Sequence, residues 1–166
     1  MAISTIHITN IVFTMGVSGS GKTTLGKRLA EEMGVVFIDA DDHHSKENIQ
    51  KMSSGVPLTD ADREPWLLKI NQIAKEHIHK GCVIACSALK EQYRERLSAS
   101  IASEVTWIYL EGSFDEIYER MRSRRDHFMK PDLLRSQFDI LEVPEEAIKL
   151  PITMDTEQMI NRLMNR

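Results

Sequence analysis

Residues Gly16 to Thr23 read Gly-Val-Ser-Gly-Ser-Gly-Lys-Thr, filling every fixed position of the pattern G-x-x-x-x-G-K-[ST]. The apolar run Ile11-Val12-Phe13-Thr14-Met15 precedes it, and Leu25, Leu29 and Met33 recur every fourth residue behind it. The spacing predicts a strand, a glycine loop and a helix in direct succession. Glycines let the chain turn tightly and bring backbone N–H groups toward phosphate oxygens, while the helix start adds unpaired donors and a positive dipole end. Gly16, Ser18, Gly19, Ser20, Gly21, Lys22, Thr23 and Thr24 are therefore the expected contacts of a nucleoside triphosphate. Lys22 is expected to bridge the β- and γ-phosphates, and Thr23 to place its hydroxyl on Mg²⁺. A glycine-rich turn with no ligand is the bland alternative, and it leaves the complete match in this setting unexplained.

At 166 residues and 19.0 kDa the chain fits one domain, 1–166, with a single core. Its 42% hydrophobic content lies in periodic segments, which argues against disorder. A net charge of −4 argues against a general nucleic-acid binder. No apolar stretch approaches the roughly 20 residues that span a bilayer, and Met1–Asn10 lacks the pattern of a signal peptide. Cys82 and Cys86, four apart in an apolar run, would be about 13 Å apart on a strand. That is beyond disulfide reach, so free thiols and the cytoplasm are expected.

Apolar runs alternate with helical patterns throughout. Strands are expected at Ile11–Met15, Val35–Ile38, Val83–Cys86, Val105–Leu110 and Ile148–Met154. Helices are expected at Lys22–Met33, Lys46–Met52, around Trp66–His77, and at Lys90–Ser100, Phe114–Arg124, Asp132–Leu141 and Glu157–Asn165. This alternation implies an α/β fold, a five-stranded parallel sheet with helices on both faces. Pro151 cannot donate to a ladder, so the last strand belongs at an edge. Ligands of such sheets bind beyond the carboxyl ends of the strands.

Three such places are polar. Asp39 and Asp41 follow the second strand and share a side if the strand extends that far. One carboxylate could hold a metal-bound water, and the other could orient or deprotonate an acceptor hydroxyl. An acidic helix start explains Asp42 well and Asp39 poorly. His43 and His44 read as polar lining rather than a zinc site. Ser87 and Lys90, after the third strand, read equally as ligand contacts or as a capping serine beside an exposed lysine. Arg63 stands just ahead of a helix expected to begin near Pro65, capped by Asp60 or Asp62. A cation gains nothing from that helix end, so an anionic ligand is the expected reason for it.

Arg120, Arg122, Arg124 and Arg125 crowd the end of one helical pattern and its exit, within an acidic chain. Arg120 and Arg122 fit simple complementation of a helix dipole. Arg124 and Arg125 fall where small P-loop kinases close a lid, here about residues 122–135, and present arginine to the transferring phosphoryl group.

Further blocks carry a resemblance. They are Asp39-x-Asp41-x-x-His44, Asn48-x-x-Lys51-Met52 and Gly55-x-Pro57-Leu58-x-Asp60-x-Asp62-Arg63-x-Pro65-Trp66-Leu67. Cys86-Ser87-Ala88-Leu89-Lys90-x-x-Tyr93-Arg94, Tyr109-Leu110-x-Gly112, His127-Phe128-Met129, Ser136-Gln137-Phe138 and Leu141-Glu142 follow. With the phosphate loop, these blocks resemble the gluconokinase family, in the shikimate-kinase-like branch of P-loop kinases. The resemblance implies a three-layer P-loop kinase fold and transfer of the ATP γ-phosphate to the 6-hydroxyl of D-gluconate. It implies a cytoplasmic enzyme, often a homodimer, without nucleic-acid or membrane partners. Catalytic roles then fall to Lys22, Asp41, Arg124 and Arg125. Asp41, His44, Arg63, Ser87, Lys90, Arg94 and His127 are the expected substrate contacts, with Arg63 first and Lys90 second for the carboxylate, and Thr23 and Asp39 serve the metal. Ser45 stands where the family usually has proline, and both residues start helices. The segment after Glu146 matches weakly. Rival readings are another small-metabolite kinase of this fold, shikimate-like or for another sugar acid, and an ATP-binding switch without transfer.

Overall fold

Alternate residues of the first strand, β1 (Ile11–Met15), feed two separate apolar layers. Val12 packs with Leu25, Leu29, Ile117 and Leu163 on one face of the sheet. Ile11, Phe13 and Met15 pack with Trp66, Leu67, Ile70 and Leu97 on the other. A strand buried on both faces must be apolar at nearly every position, which is why β1 reads as a continuous run. The computed structural model describes residues 5–124 and 130–166; Arg125 and His127 lie outside the described residues.

The elements along the chain are α1 (Lys22–Met33), β2 (Val36–Asp39), α2 (Lys46–Ser53), α3 (Asp60–Glu76) and β3 (Cys82–Ala85). They continue with α4 (Glu91–Leu97), β4 (Val105–Glu111), α5 (Phe114–Ser123), α6 (Pro131–Ile140), β5 (Ile148–Pro151) and α7 (Thr156–Leu163). The five strands are parallel in the order β2-β3-β1-β4-β5. Phe13 stands between Ile84 of β3 and Trp107 of β4 and stacks on Trp107 at 4.5 Å. β5 lies at an edge, as Pro151 requires. Because the chain crosses from β1 to β2 and returns to β3 between them, the carboxyl ends of β1 and β3 open side by side, where such sheets hold ligands. Cys82 and Cys86 are buried free thiols, and burial pushes both pKa values up to about 12.

Several local expectations need correction. α3 begins at Asp60, not near Pro65. Thr59 is its N-cap, accepting from the Asp62 amide at 3.0 Å, while the Asp62 carboxylate accepts from the Thr59 amide at 2.9 Å. This capping box outweighs the proline, which sits inside the helix. Arg63 therefore lies within the first turn rather than ahead of it. Ser87 caps nothing, since Lys90 is the N-cap of α4. β5 stops at Pro151, and Ile152 continues as a turn. Ser45 does cap α2, accepting from the Asn48 amide at 3.1 Å.

Candidate active site

The phosphate loop leaves β1 and delivers Gly21, at φ +100°, to the N-cap of α1. No side chain caps this helix, so the donors of its first turn have no competing side-chain acceptor and suit an anion. Gly19, at φ +80°, is held under Met121; a Cβ there would lie 2.6 Å from Met121 Cγ. Both constraints demand glycine. Thr14 Oγ1 donates to the Lys22 carbonyl at 3.1 Å, tying the loop's end back to β1. Lys22 Nζ reaches the Val17 carbonyl at 3.1 Å, a partner it can exchange for phosphate oxygens. Burial lowers the Lys22 pKa, and Asp41, Cys86 and Asp39 pull it back.

A cleft of about 1020 Å³ opens over this loop. It brings together Ser18, Gly19, Lys22, Thr23, Asp39, Asp41, Ser87 and Arg124, all anticipated from sequence. Asp39 and Asp41 do not meet as alternate strand positions. β2 ends at Asp39, whose Oδ1 accepts the Asp41 amide at 3.0 Å and caps a 3-10 turn over Ala40–His43. The acidic-cap reading thus explains Asp39 after all, yet the turn still presents both carboxylates to the cleft. Burial raises the Asp39 pKa; the Asp41 amide opposes this, and the Asp41 and Asp42 charges add to it.

The expected carboxylate-binding cations are placed differently. Arg63 donates to the Leu58 carbonyl at 2.6 Å and to the Tyr93 hydroxyl at 3.2 Å, and its guanidinium lies over the Tyr93 ring. Lys90 pairs with Asp60 at 3.2 Å, and Tyr93 donates to the same carboxylate at 2.5 Å. Arg94 is buried and donates to the carbonyls of Ala88, at 2.7 Å, and Glu142, at 2.8 Å. None of the three lines the cleft. Arg94 instead braces the turn after Ser87, where Ala88 holds φ +46°, a conformation that L residues adopt at a cost. A cation that does line the cleft is Lys130, the N-cap of α6, together with Asp132 and Ser136. Lys130-Pro131 reads as a helix start, and that signal could have drawn attention to it.

Two more contacts escaped sequence reasoning. Gln137 accepts from the Ser18 amide at 2.8 Å and donates to Ser18 Oγ at 3.1 Å, fastening α6 to the phosphate loop. Arg120 donates toward the Ser20 carbonyl at 3.5 Å and the Ile152 carbonyl at 3.4 Å, so it does more than complement a dipole. Burial and the Arg124 charge lower its pKa.

His44 stands behind Asp41, not in the cleft, with its side chain 4% exposed and stacked on Trp66 at 4.2 Å. Burial, with help from the Arg63 charge, lowers its pKa from 6.5 to about 4. A histidine depressed in the folded state makes unfolding bind a proton between those values, so its contribution to stability falls as pH drops through that window. Urea unfolding should show wild type losing about 2 kcal/mol more than His44→Gln between neutral pH and about pH 5. Parallel pH profiles for the two proteins would refute the assignment. Among the described residues no group of three His, Cys, Asp or Glu is placed to hold a metal ion. No described helix is long and apolar enough to cross a membrane.

A sequence profile described as shikimate kinase matches residues 18–164. A probable gluconokinase of Mus musculus is 47% identical over 93% of this chain and 95% of its own length. The thermoresistant gluconokinase of Escherichia coli (strain K12) is 41% identical over 92% of this chain and 89% of its own. The crystal structure of a gluconokinase from Sinorhizobium meliloti 1021 superposes with a TM-score of 0.88 at 36% identity, covering 96% of this chain and 91% of that one.

Proposed function

The chain belongs to the gluconokinase family of shikimate-kinase-like P-loop kinases, and from that membership we propose that it phosphorylates the 6-hydroxyl of D-gluconate with the γ-phosphate of ATP. It is an ATP-dependent carbohydrate kinase. The observation that carries the residue assignment is the meeting of Lys22, Thr23, Asp41 and Arg124 around one cleft at the carboxyl ends of β1 and β3.

In this reading the gluconate O6 attacks the γ-phosphorus, and the bond from that phosphorus to the β–γ bridging oxygen breaks. ADP leaves, and the hydroxyl proton passes to the Asp41 carboxylate. Lys22 and the loop amides hold the phosphates, and Arg124 meets charge on the transferring group. Hard oxygen donors from Thr23 and Asp39 suit Mg²⁺, which such sites hold through phosphates and water rather than an all-protein cage. When bound, the ion neutralises phosphate charge. Ser87 and Lys130 stand where a polyhydroxy acid would lie, with Lys130 opposite in sign to a carboxylate. Arg125 and His127 keep their assigned lid and substrate roles as part of this proposal. So do the cytoplasmic setting, with which two buried cysteines outside any disulfide are consistent, and the homodimer, which light scattering tests.

Purified protein with Mg–ATP and D-gluconate, coupled to an NADP-dependent 6-phosphogluconate dehydrogenase, should produce NADPH at a rate proportional to enzyme. Turnover on shikimate equal to or above that on gluconate would overturn the substrate assignment. ATP binding without turnover on any sugar acid would instead favour the switch.

A further inference from the structure

We infer that Asn48 is a positioning residue: its side-chain amide locks His44 in the tautomer that carries the proton on Nε2, facing Asp41. The inference rests on the reading of Asp41 as acceptor of the substrate proton.

Asn48 sits in the first turn of α2 and is 5% exposed. Its Nδ2 lies 2.9 Å from the Asp62 carbonyl oxygen. A carbonyl only accepts, so the nitrogen end of the amide must face it, and the flipped amide would set two acceptors against each other. The second hydrogen of Nδ2 is left for His44 Nδ1, 3.4 Å away. A nitrogen that receives this donor must be bare, and a neutral imidazole bare at Nδ1 is protonated at Nε2. Nε2 lies 3.8 Å from Asp41 Oδ1. That is longer than a hydrogen bond, but Asp41 is exposed and its carboxylate can turn toward the N–H.

The ring itself cannot turn away. It stacks on Trp66, whose Nε1 donates to the Ala40 carbonyl at 2.7 Å, within the same 3-10 turn that carries Asp41. The charged groups that act on it are Asp41 on that turn and Arg63 on α3; the Asp62 carboxylate, also on α3, is taken up by Lys51 of α2. Burial and Arg63 both disfavour the imidazolium, so a neutral donor faces the carboxylate. A donor on that side holds one carboxylate oxygen and leaves the other for the acceptor hydroxyl.

A plainer role for Asn48 is to tie α2 to α3. The ion pair between Lys51 and Asp62, at 2.8 Å, makes the same tie without touching His44, and so provides the control. Long-range ¹H–¹⁵N spectra of the full chain at neutral pH should show His44 as the Nε2–H tautomer. In Asn48→Asp the side chain can only accept, and the His44 proton should move to Nδ1. Turnover on gluconate should fall about tenfold or more, with the KM for ATP within about twofold of wild type. Lys51→Met should lower Tm yet keep both the tautomer and turnover. Asn48→Leu, which lacks any donor, should lose turnover likewise and stands in if the aspartate variant does not fold. An Nδ1–H or doubly protonated His44 in wild type overturns the inference without need of a variant. Unchanged turnover in Asn48→Asp and Asn48→Leu, with Asp41→Asn inactive, overturns it and leaves the Asp41 reading standing. Unchanged turnover in all three overturns both.

Discussion

Replacing Asp41 with asparagine should lower turnover on gluconate at least about a hundredfold while leaving ATP affinity close to wild type. General-base groups contribute about 10²–10⁴ in rate. The amide would keep the size and hydrogen-bonding reach of the side chain but could not take up the hydroxyl proton as it departs. Asp41 lies on the turn after β2 and lines the cleft without belonging to the loop that would hold the phosphates, so its loss should leave that loop's own contacts in place. Steady-state turnover and a separate ATP titration check the two halves. Activity retained in Asp41→Asn would remove this residue from the base role. Weakened ATP binding would point instead to an electrostatic part in holding the nucleotide with its metal.

Arg124→Ala should cost about 10³ in turnover, in the range of other arginines that meet a transferring phosphoryl group. Arg124 ends α5, lines the cleft and is near enough to Arg120 to lower its pKa. The two guanidinium groups repel until an anion lies between them, so a ligand that gathers charge gains most. KM for gluconate should change little, because the interaction strengthens in the transition state rather than the ground state. Arg124→Lys should recover only part of the loss: an ammonium supplies charge without the planar fork that spans two phosphoryl oxygens. Single-turnover rates at saturating ATP and gluconate measure this directly. Wild-type rates in Arg124→Ala would end its assignment and leave Arg125 to carry the lid's arginine role.

Elements with strong periodic signals are legible in the sequence alone. β1, α1 and the loop between them begin and end where their residues predict, because a fully buried strand, a glycine turn and an amphipathic helix each leave a local pattern. The edge position of β5 followed from one missing donor at Pro151. Boundaries set by competition were less legible. Thr59 and Asp62 begin α3 ahead of Pro65 because two reciprocal hydrogen bonds outweigh one proline.

The cations divided in the same way. Lys22 was legible because its place in the cleft is fixed by spacing within one loop. Arg63, Lys90 and Arg94 looked available for a substrate carboxylate, yet their partners are Leu58, Tyr93, Asp60, Ala88 and Glu142, most of them distant in sequence. A cation's charge can be read from sequence, but its partner cannot, because burial makes the nearest carbonyl or carboxylate decisive. Gln137 is the converse case: it belongs to one of the blocks that carry the resemblance, yet nothing local assigns it the contact it makes with Ser18 across the chain.

The sequence by itself determined the phosphate loop, the parallel α/β fold, the free thiols and the kind of reaction, since each rests on local spacing or on residue types the chemistry requires. Only the tertiary structure decided that Asp39 caps the turn presenting Asp41, that His44 stands behind that turn against Trp66, and that Lys130 rather than Arg63 faces the cleft. Those outcomes depend on which polar groups the packed helices bring within about 3 Å of one another, a distance that no one-dimensional pattern encodes.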